Sequence, residues 1–247
     1  MTWRFEGLTM RTYIDLETLP SLAADAREQA RQGVKPPGNY KKPETIAEWW
    51  KTEGEAAAED AYRRQALDAT TGELCALGFC TDESEPVSIV RQKEEAEADF
   101  LRRALGQLAE RVDAAGFTGP DGRAWPVEPY FIGHNAGGFD LPFLWRRCII
   151  HGVRPAFKLP TPSSREGKDY GDTMTAWAGY RGTVGLDHLC RALGIPSPKA
   201  SGIDGGQVFD LWQAGDLDRI ARYNCADVAA VRAIWLRLNW EGGGHGA

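Results

Sequence analysis

Near the C-terminal end of the chain, Ile220, Tyr223, Asp227, Val231, Ile234 and Leu238 recur at the three-and-four spacing of one helical stripe. An amphipathic helix turns such a stripe toward the core. Asp227 therefore stands where a hydrocarbon is expected. A carboxylate buried without a partner is strongly unfavourable, so a fold that accepts this helix must bring Asp227 a cationic side chain, a proton or a metal ion.

Two other segments carry acids in constrained places. Residues 11–19 read as a β-branched and apolar strand. Residues two apart on a strand share a face, so Asp15 and Glu17 project side by side while Ile14 and Leu16 face the opposite layer. Like charges that close repel unless a cation sits between them, although an isolated pair of this kind is commonly a polar strand edge. Asp140 ends the run His134-Asn135-Ala136-Gly137-Gly138-Phe139-Asp140, which joins an apolar strand at 129–133 to a helix over 140–151. Pro142 marks the first helical turn, which places Asp140 where unpaired N–H groups and the helix dipole favour an anion; alone, this is an ordinary cap. The Gly137-Gly138 pair admits either the close approach of a ligand or a tight turn.

The remaining pattern supplies the frame. Strands are predicted at 73–80, 86–91 and 170–175, and helices at 94–115, 184–193 and, as a pair, 205–239, with a Gly/Pro loop at 116–129 and a frayed tail at 241–247. Between the first two strands, residues 20–70 change to an Ala, Glu, Lys and Arg-rich composition with helices at 44–51 and 53–67, and this block reads as an insertion. The expected architecture is α/β: a mixed sheet covered by helices, in one domain over 1–240. With 43% hydrophobic and 26% charged residues the composition is that of a globular chain, which excludes wholesale disorder. No apolar run reaches the ~18 residues of a membrane span and no signal-like stretch opens the chain, so a cytoplasmic protein without a membrane partner is expected. The odd count of five cysteines, set in apolar stretches and without a C-x-x-C pair, fits reduced buried thiols rather than zinc. A net charge of −6 argues against gripping nucleic acid through a global field, but not against a site that works through bound cations.

If the sheet brings Asp15, Glu17, Asp140 and Asp227 to one pocket, an oxygen-rich cluster results that suits Mg²⁺ or Mn²⁺. Two such ions about 3.5–4 Å apart can activate water and stabilise the departing oxygen of a phosphodiester. Tyr223, one helical turn before Asp227, would point into the same pocket, where its hydroxyl can orient the attacking water.

In order, element type and spacing, these residues resemble the three motifs of the DnaQ-like, or DEDD, superfamily of 3′-to-5′ exonucleases. Asp15-x-Glu17 is similar to the first motif, Asn135 through Phe139-Asp140 to the second, and Tyr223-x-x-x-Asp227 to the third. The tyrosine four residues before the last aspartate, with Arg222 at the fifth position, is the mark of the branch that contains proofreading exonucleases of family B polymerases. Gly194-Ile195-Pro196, Lys199 and Gly202-Ile203-Asp204-Gly205 resemble phage-type relatives of that branch. The resemblance implies an RNase H-like five-stranded sheet flanked by helices, with the helical insertion after the first strand. It implies two Mg²⁺ or Mn²⁺ ions per site, with Asp15, Glu17 and Asp227 as ligands of the first, Asp15 bridging to the second, and Asp140 a ligand of the second acting partly through water. Tyr223 would orient water, and Leu16, Thr18, Asn135 and Phe139 would contact substrate. The expected activity is release of nucleoside 5′-monophosphates from the 3′ end of DNA, single-stranded by preference.

The insertion departs from the pattern. Its Ile46, Trp49 and Trp50 form an apolar helix face that either docks the helix or, aided by Lys35, Lys41, Lys42, Arg63 and Arg64, offers a stacking platform for unpaired bases. Other expectations share the site: trimming of RNA 3′ ends, or a non-cutting accessory that binds a 3′ end or a separate polymerase or replication protein.

Overall fold

The computed structural model describes residues 8–82, 84–114, 117–118, 124–125 and 127–241. In chain order its strands are β1 (Leu8–Leu19), β2 (Glu73–Thr81), β3 (Val87–Val90), β4 (Phe117–Thr118), β5 (Ala124–Trp125), β6 (Val127–Gly133) and β7 (Tyr170–Asp172). Its helices are α1 (Ala26–Gly33), α2 (Pro43–Trp49), α3 (Glu55–Arg64), α4 (Glu97–Ala114), α5 (Asp140–Ile150), α6 (Thr173–Ala178), α7 (Leu186–Leu193), α8 (Val208–Ala214) and α9 (Leu217–Leu238). They gather into two compact units, Met1–Glu17 with Leu74–Ala247, and Thr18–Glu73.

The larger unit is built on a sheet in the order β3-β2-β1-β6-β7. β6 runs parallel to β1 and β7 parallel to β6, while β2 and β3 form an antiparallel pair. The sheet is therefore mixed, as the interleaving of strands and helices predicts. Its core follows the period of two on the strands. Tyr13, Cys80 and Ile132 meet Val228 and Val231 of α9, and α9 in turn packs through Ala230 and Ile234 on Leu189 and Cys190 of α7. The alternate residues of β1, Ile14 and Leu16, are buried too, so this central strand is covered on both faces.

α4 and α5 are joined by a buried ionic knot. Glu97, the first residue of α4, accepts hydrogen bonds from the Leu74 amide and from Arg147 Nε of α5, both at 2.9 Å, and it also meets Arg147 Nη2 and, at 3.0 Å, His151 Nε2. Burial pushes the Glu97 carboxyl up, but these bonds outweigh it and hold the group below its ordinary value.

Several boundaries differ from the sequence expectations. The strand near 170 ends at Asp172, whose side chain accepts from Met174 N and so starts α6. The Gly/Pro stretch contains the β4–β5 ladder, and β6 begins at Val127; the rest of that stretch, and 242–247 of the tail, lie outside the described residues. All five cysteines are free thiols. No described helix is long and apolar enough to cross a membrane.

In the smaller unit the two expected helices run on from one another through a π-helical turn at Trp50–Gly54, and the unforeseen α1 packs on α3. Trp49 is buried and meets Trp50 edge-on with ring centroids 5.1 Å apart, while Arg31 lies 4.7 Å over the Trp50 ring. Arg63 and Arg64 pair with Glu59 and Asp60 one helical turn earlier. Trp49 is thus covered within this unit and Trp50 partly so, and two of the five cations proposed to aid base stacking pair within their own helix.

Candidate active site

The register of β1 explains where its acids go. Its pairing with β6 ends at Tyr13 opposite Ile132, and one residue later β6 turns into the loop that leads to α5. Asp15 and Glu17 therefore extend past the end of their parallel neighbour, at the carboxyl edge where open α/β sheets form their crevice. α9 crosses the same face, so that one carboxylate oxygen from each of Asp15, Glu17 and Asp227 lies within 4.8 Å of the others. Glu17 and Asp227 are buried and Asp15 is partly buried.

Asp140 stands beside this triad rather than in it. Its Oδ1 accepts the Leu16 amide at 3.1 Å, tying the start of α5 to the strand between Asp15 and Glu17. It is the first residue of α5; the cap position belongs to Phe139, whose side chain makes no capping bond. The ordinary-cap reading of Asp140 is thereby corrected: the carboxylate spans to β1. Tyr223 hydrogen-bonds to Asp227. Of the expected substrate contacts, Leu16 has its side chain buried and its amide taken by Asp140, and Phe139 is partly exposed with its ring 5.4 Å from that of Phe143. Asn135 sits in the left-handed region at φ 62°. Thr18, on β1, is partly buried.

Two supporting residues escaped the sequence reading. Asp172 is buried and holds the loop before α5 by accepting Asn135 N at 2.9 Å and Gly137 N at 3.2 Å. The pattern Asp172-Thr173-Met174-Thr175 is a recognisable helix start, and that signal could have marked it. Asn224 is fully buried and donates to Asp15 Oδ2 at 2.7 Å; it lies four residues after Ile220 and so falls on the same inward face. At Gly137 a Cβ would come within 2.2 Å of the Tyr170 hydroxyl, so the packing of Tyr170 already disfavours a side chain there.

Among the described residues, none of the four acids forms an ion pair with Lys or Arg. Burial and mutual repulsion instead push Asp15 and Glu17 well above ordinary carboxylate values. Burial raises Asp227 to about 7, against the Tyr223 hydrogen bond and the charge of Lys199. It raises Asp140 to about 8, with the Leu16 amide opposing and the charges of Asp172 and Asp227 adding. A set of largely buried oxygen donors that repel one another, with no ion pair among the described residues and only the charge of Lys199 acting on Asp227, fits a hard divalent cation.

The sheet order, with helices flanking it, is that of a mixed five-stranded α/β fold of the RNase H-like kind. Residues 124–244 match the family described as "Predicted 3'-5' exonuclease related to the exonuclease domain of PolB". Over 96% of its length the chain superposes, at a TM-score of 0.55 and 15% identity, on the family B DNA polymerase of the hyperthermophilic archaeon Pyrobaculum calidifontis. It spans 25% of that polymerase. No curated protein matches the chain. The similarity to that family is confined to the matched segment, which holds Asp140, Tyr223 and Asp227; Asp15 and Glu17 precede it.

Proposed function

We propose that the chain is a divalent-metal-dependent 3′-to-5′ exonuclease that hydrolyses the terminal phosphodiester of DNA, single-stranded by preference. The observation that carries this reading is the meeting of Asp15, Glu17 and Asp227 oxygens within 4.8 Å, in a chain whose residues 124–244 match a family described as related to a polymerase exonuclease domain. Asp15, Glu17 and Asp227 would hold one Mg²⁺ or Mn²⁺, and Asp15 with Asp140 a second. Bound there, the cations supply Lewis-acid polarisation of the phosphodiester and a lowered water pKa. The chain's own residues do the positioning. Burial first, and the charges of Asp227, Glu17 and Asp15 after it, push the Tyr223 phenol up, which favours a neutral hydroxyl that would orient water as a hydrogen-bond partner. Water oxygen bonds to phosphorus, the bond from phosphorus to the neighbouring O3′ breaks, and that oxygen leaves as a hydroxyl after gaining a proton. The products are a nucleoside 5′-monophosphate and a strand shorter by one.

The test uses 5′-labelled single-stranded DNA, recessed duplex and RNA with Mg²⁺. Stepwise shortening of DNA from the 3′ end, abolished by EDTA and by the Asp15→Asn/Asp227→Asn double variant, is expected. Full-length DNA persisting as it does with the double variant defeats the reading, and shortening of RNA alone replaces its substrate.

A further inference from the structure

Asn224 follows Tyr223 on α9, and its amide reaches across the sheet to β1. Nδ2 donates to Asp15 Oδ2 at 2.7 Å and to the Asp15 carbonyl at 3.2 Å, while Oδ1 accepts the Ser88 hydroxyl of β3 at 2.6 Å. The Asp15 carbonyl can only accept, as can its carboxylate when ionised, so the amide is fixed with its nitrogen toward β1. The strand between β1 and β3 makes room for it. A Cβ on Gly78 of β2 would lie 2.3 Å from Asn224 Oδ1 and 2.9 Å from Val228 Cγ2, so this strand position admits no side chain while the amide occupies it.

We propose that Asn224, braced by Ser88 and accommodated by Gly78, is a positioning residue that fixes the Asp15 carboxylate for divalent-cation binding. The proposal rests on the exonuclease reading above. A hydrogen bond to a carboxylate is about twice as strong as a neutral one, and one amide nitrogen holding both the backbone oxygen and a carboxylate oxygen of Asp15 restricts the rotation of that side chain. A ligand held in one orientation binds without first being ordered, and for this reason removing an outer partner of a metal ligand typically lowers metal affinity by about 10–100-fold. The same bond also acts against the burial and repulsion that push Asp15 up.

The experiment measures Mn²⁺ binding to the full chain by calorimetry and electron paramagnetic resonance, together with thermal unfolding and the metal concentration that half-saturates DNA cleavage. In Asn224→Ala we expect Mn²⁺ affinity to fall about 10-fold or more, with cleavage restored as Mn²⁺ is raised; Asp15→Asn should not be restored in this way. In Ser88→Ala the amide keeps its donor and loses its brace, and a fall of about threefold is expected. A purely structural role would lower the melting temperature and leave the half-saturating concentration where it was. Wild-type Mn²⁺ affinity in Asn224→Ala overturns the inference, and should that variant not fold, wild-type affinity in Ser88→Ala overturns it. Failure of the exonuclease reading looks different: the unaltered chain itself would then bind Mn²⁺ no better than Asp15→Asn and leave DNA intact.

Discussion

Tyr223 is the residue at which chemistry and packing separate most cleanly. Its ring is buried at 8% exposure, so Tyr223→Phe keeps the packing and loses only the hydroxyl that bonds to Asp227. Misorienting an attacking group costs about 10²-fold in rate, and a drop in kcat of that size with little change in KM or melting temperature is expected. Because the phenol is pushed up, the wild-type rate profile should show no basic limb belonging to this tyrosine up to about pH 10, the ordinary phenol value. A limb in that range that vanishes in the variant would make the phenolate a base and rule out a neutral, water-orienting hydroxyl. Legibility at this scale follows sequence distance. Asp227 is visible as an acid on an apolar stripe, and Tyr223 as its neighbour one turn away. Asn224 lies on the same inward-facing side, but its meaning depends on Asp15 and Ser88, 209 and 136 residues away, and no local period reports such partners.

Elements read well where their own periodicity organises them and poorly where partners do. The alternation along β1 and the stripe of α9 announce both structures. α1 buries Ala26 alone and has no apolar stripe; it is held by Arg27 and Arg31, which pair with Glu59 and Glu55 of α3, and such pairs carry no signature in the segment itself. The Glu97–Arg147 pair is the stronger case, since both side chains are almost fully covered, at 2% and 7% exposure. It fastens α5, and with it Asp140, to α4 and the first residues of β2. Removing one partner leaves a buried charge unpaired, so Arg147→Met should destabilise the protein by about 3–5 kcal/mol, read by urea unfolding. A loss below about 1 kcal/mol would place this pair with the surface bridges, which contribute that little.

Across the whole molecule, two groups of carboxylates set opposite pH dependences. Glu97, held by Arg147, and Glu95, which accepts from Arg103 Nε at 2.8 Å, lie below their ordinary values, so their contribution is present above the unfolded carboxyl value of about 4 and is lost as pH falls through their folded values. The site acids are raised. From about pH 4 upward the unfolded chain has released protons that the folded site still holds, so stability falls as pH rises toward about 7 for Asp227 and about 8 for Asp140. Without metal the protein should therefore be most stable near about pH 5 and lose stability by about pH 8. A cation binds the deprotonated set, so Mg²⁺ should do little at about pH 5 and much at about pH 8. At a hundredfold excess over Kd, binding contributes about 2.7 kcal/mol, which for a chain of this size is roughly 5–10 °C in Tm. Asp227→Asn should act as a partial substitute for the ion: it removes one of the repelling charges, so in EDTA at about pH 8 it should melt above the wild type while losing most of its response to Mg²⁺. Melting curves across this pH range in EDTA and in Mg²⁺ decide the matter. A metal-free Tm that climbs steadily from the acid to the alkaline end would mean that the four acids are relieved by some other group and are not held in mutual repulsion.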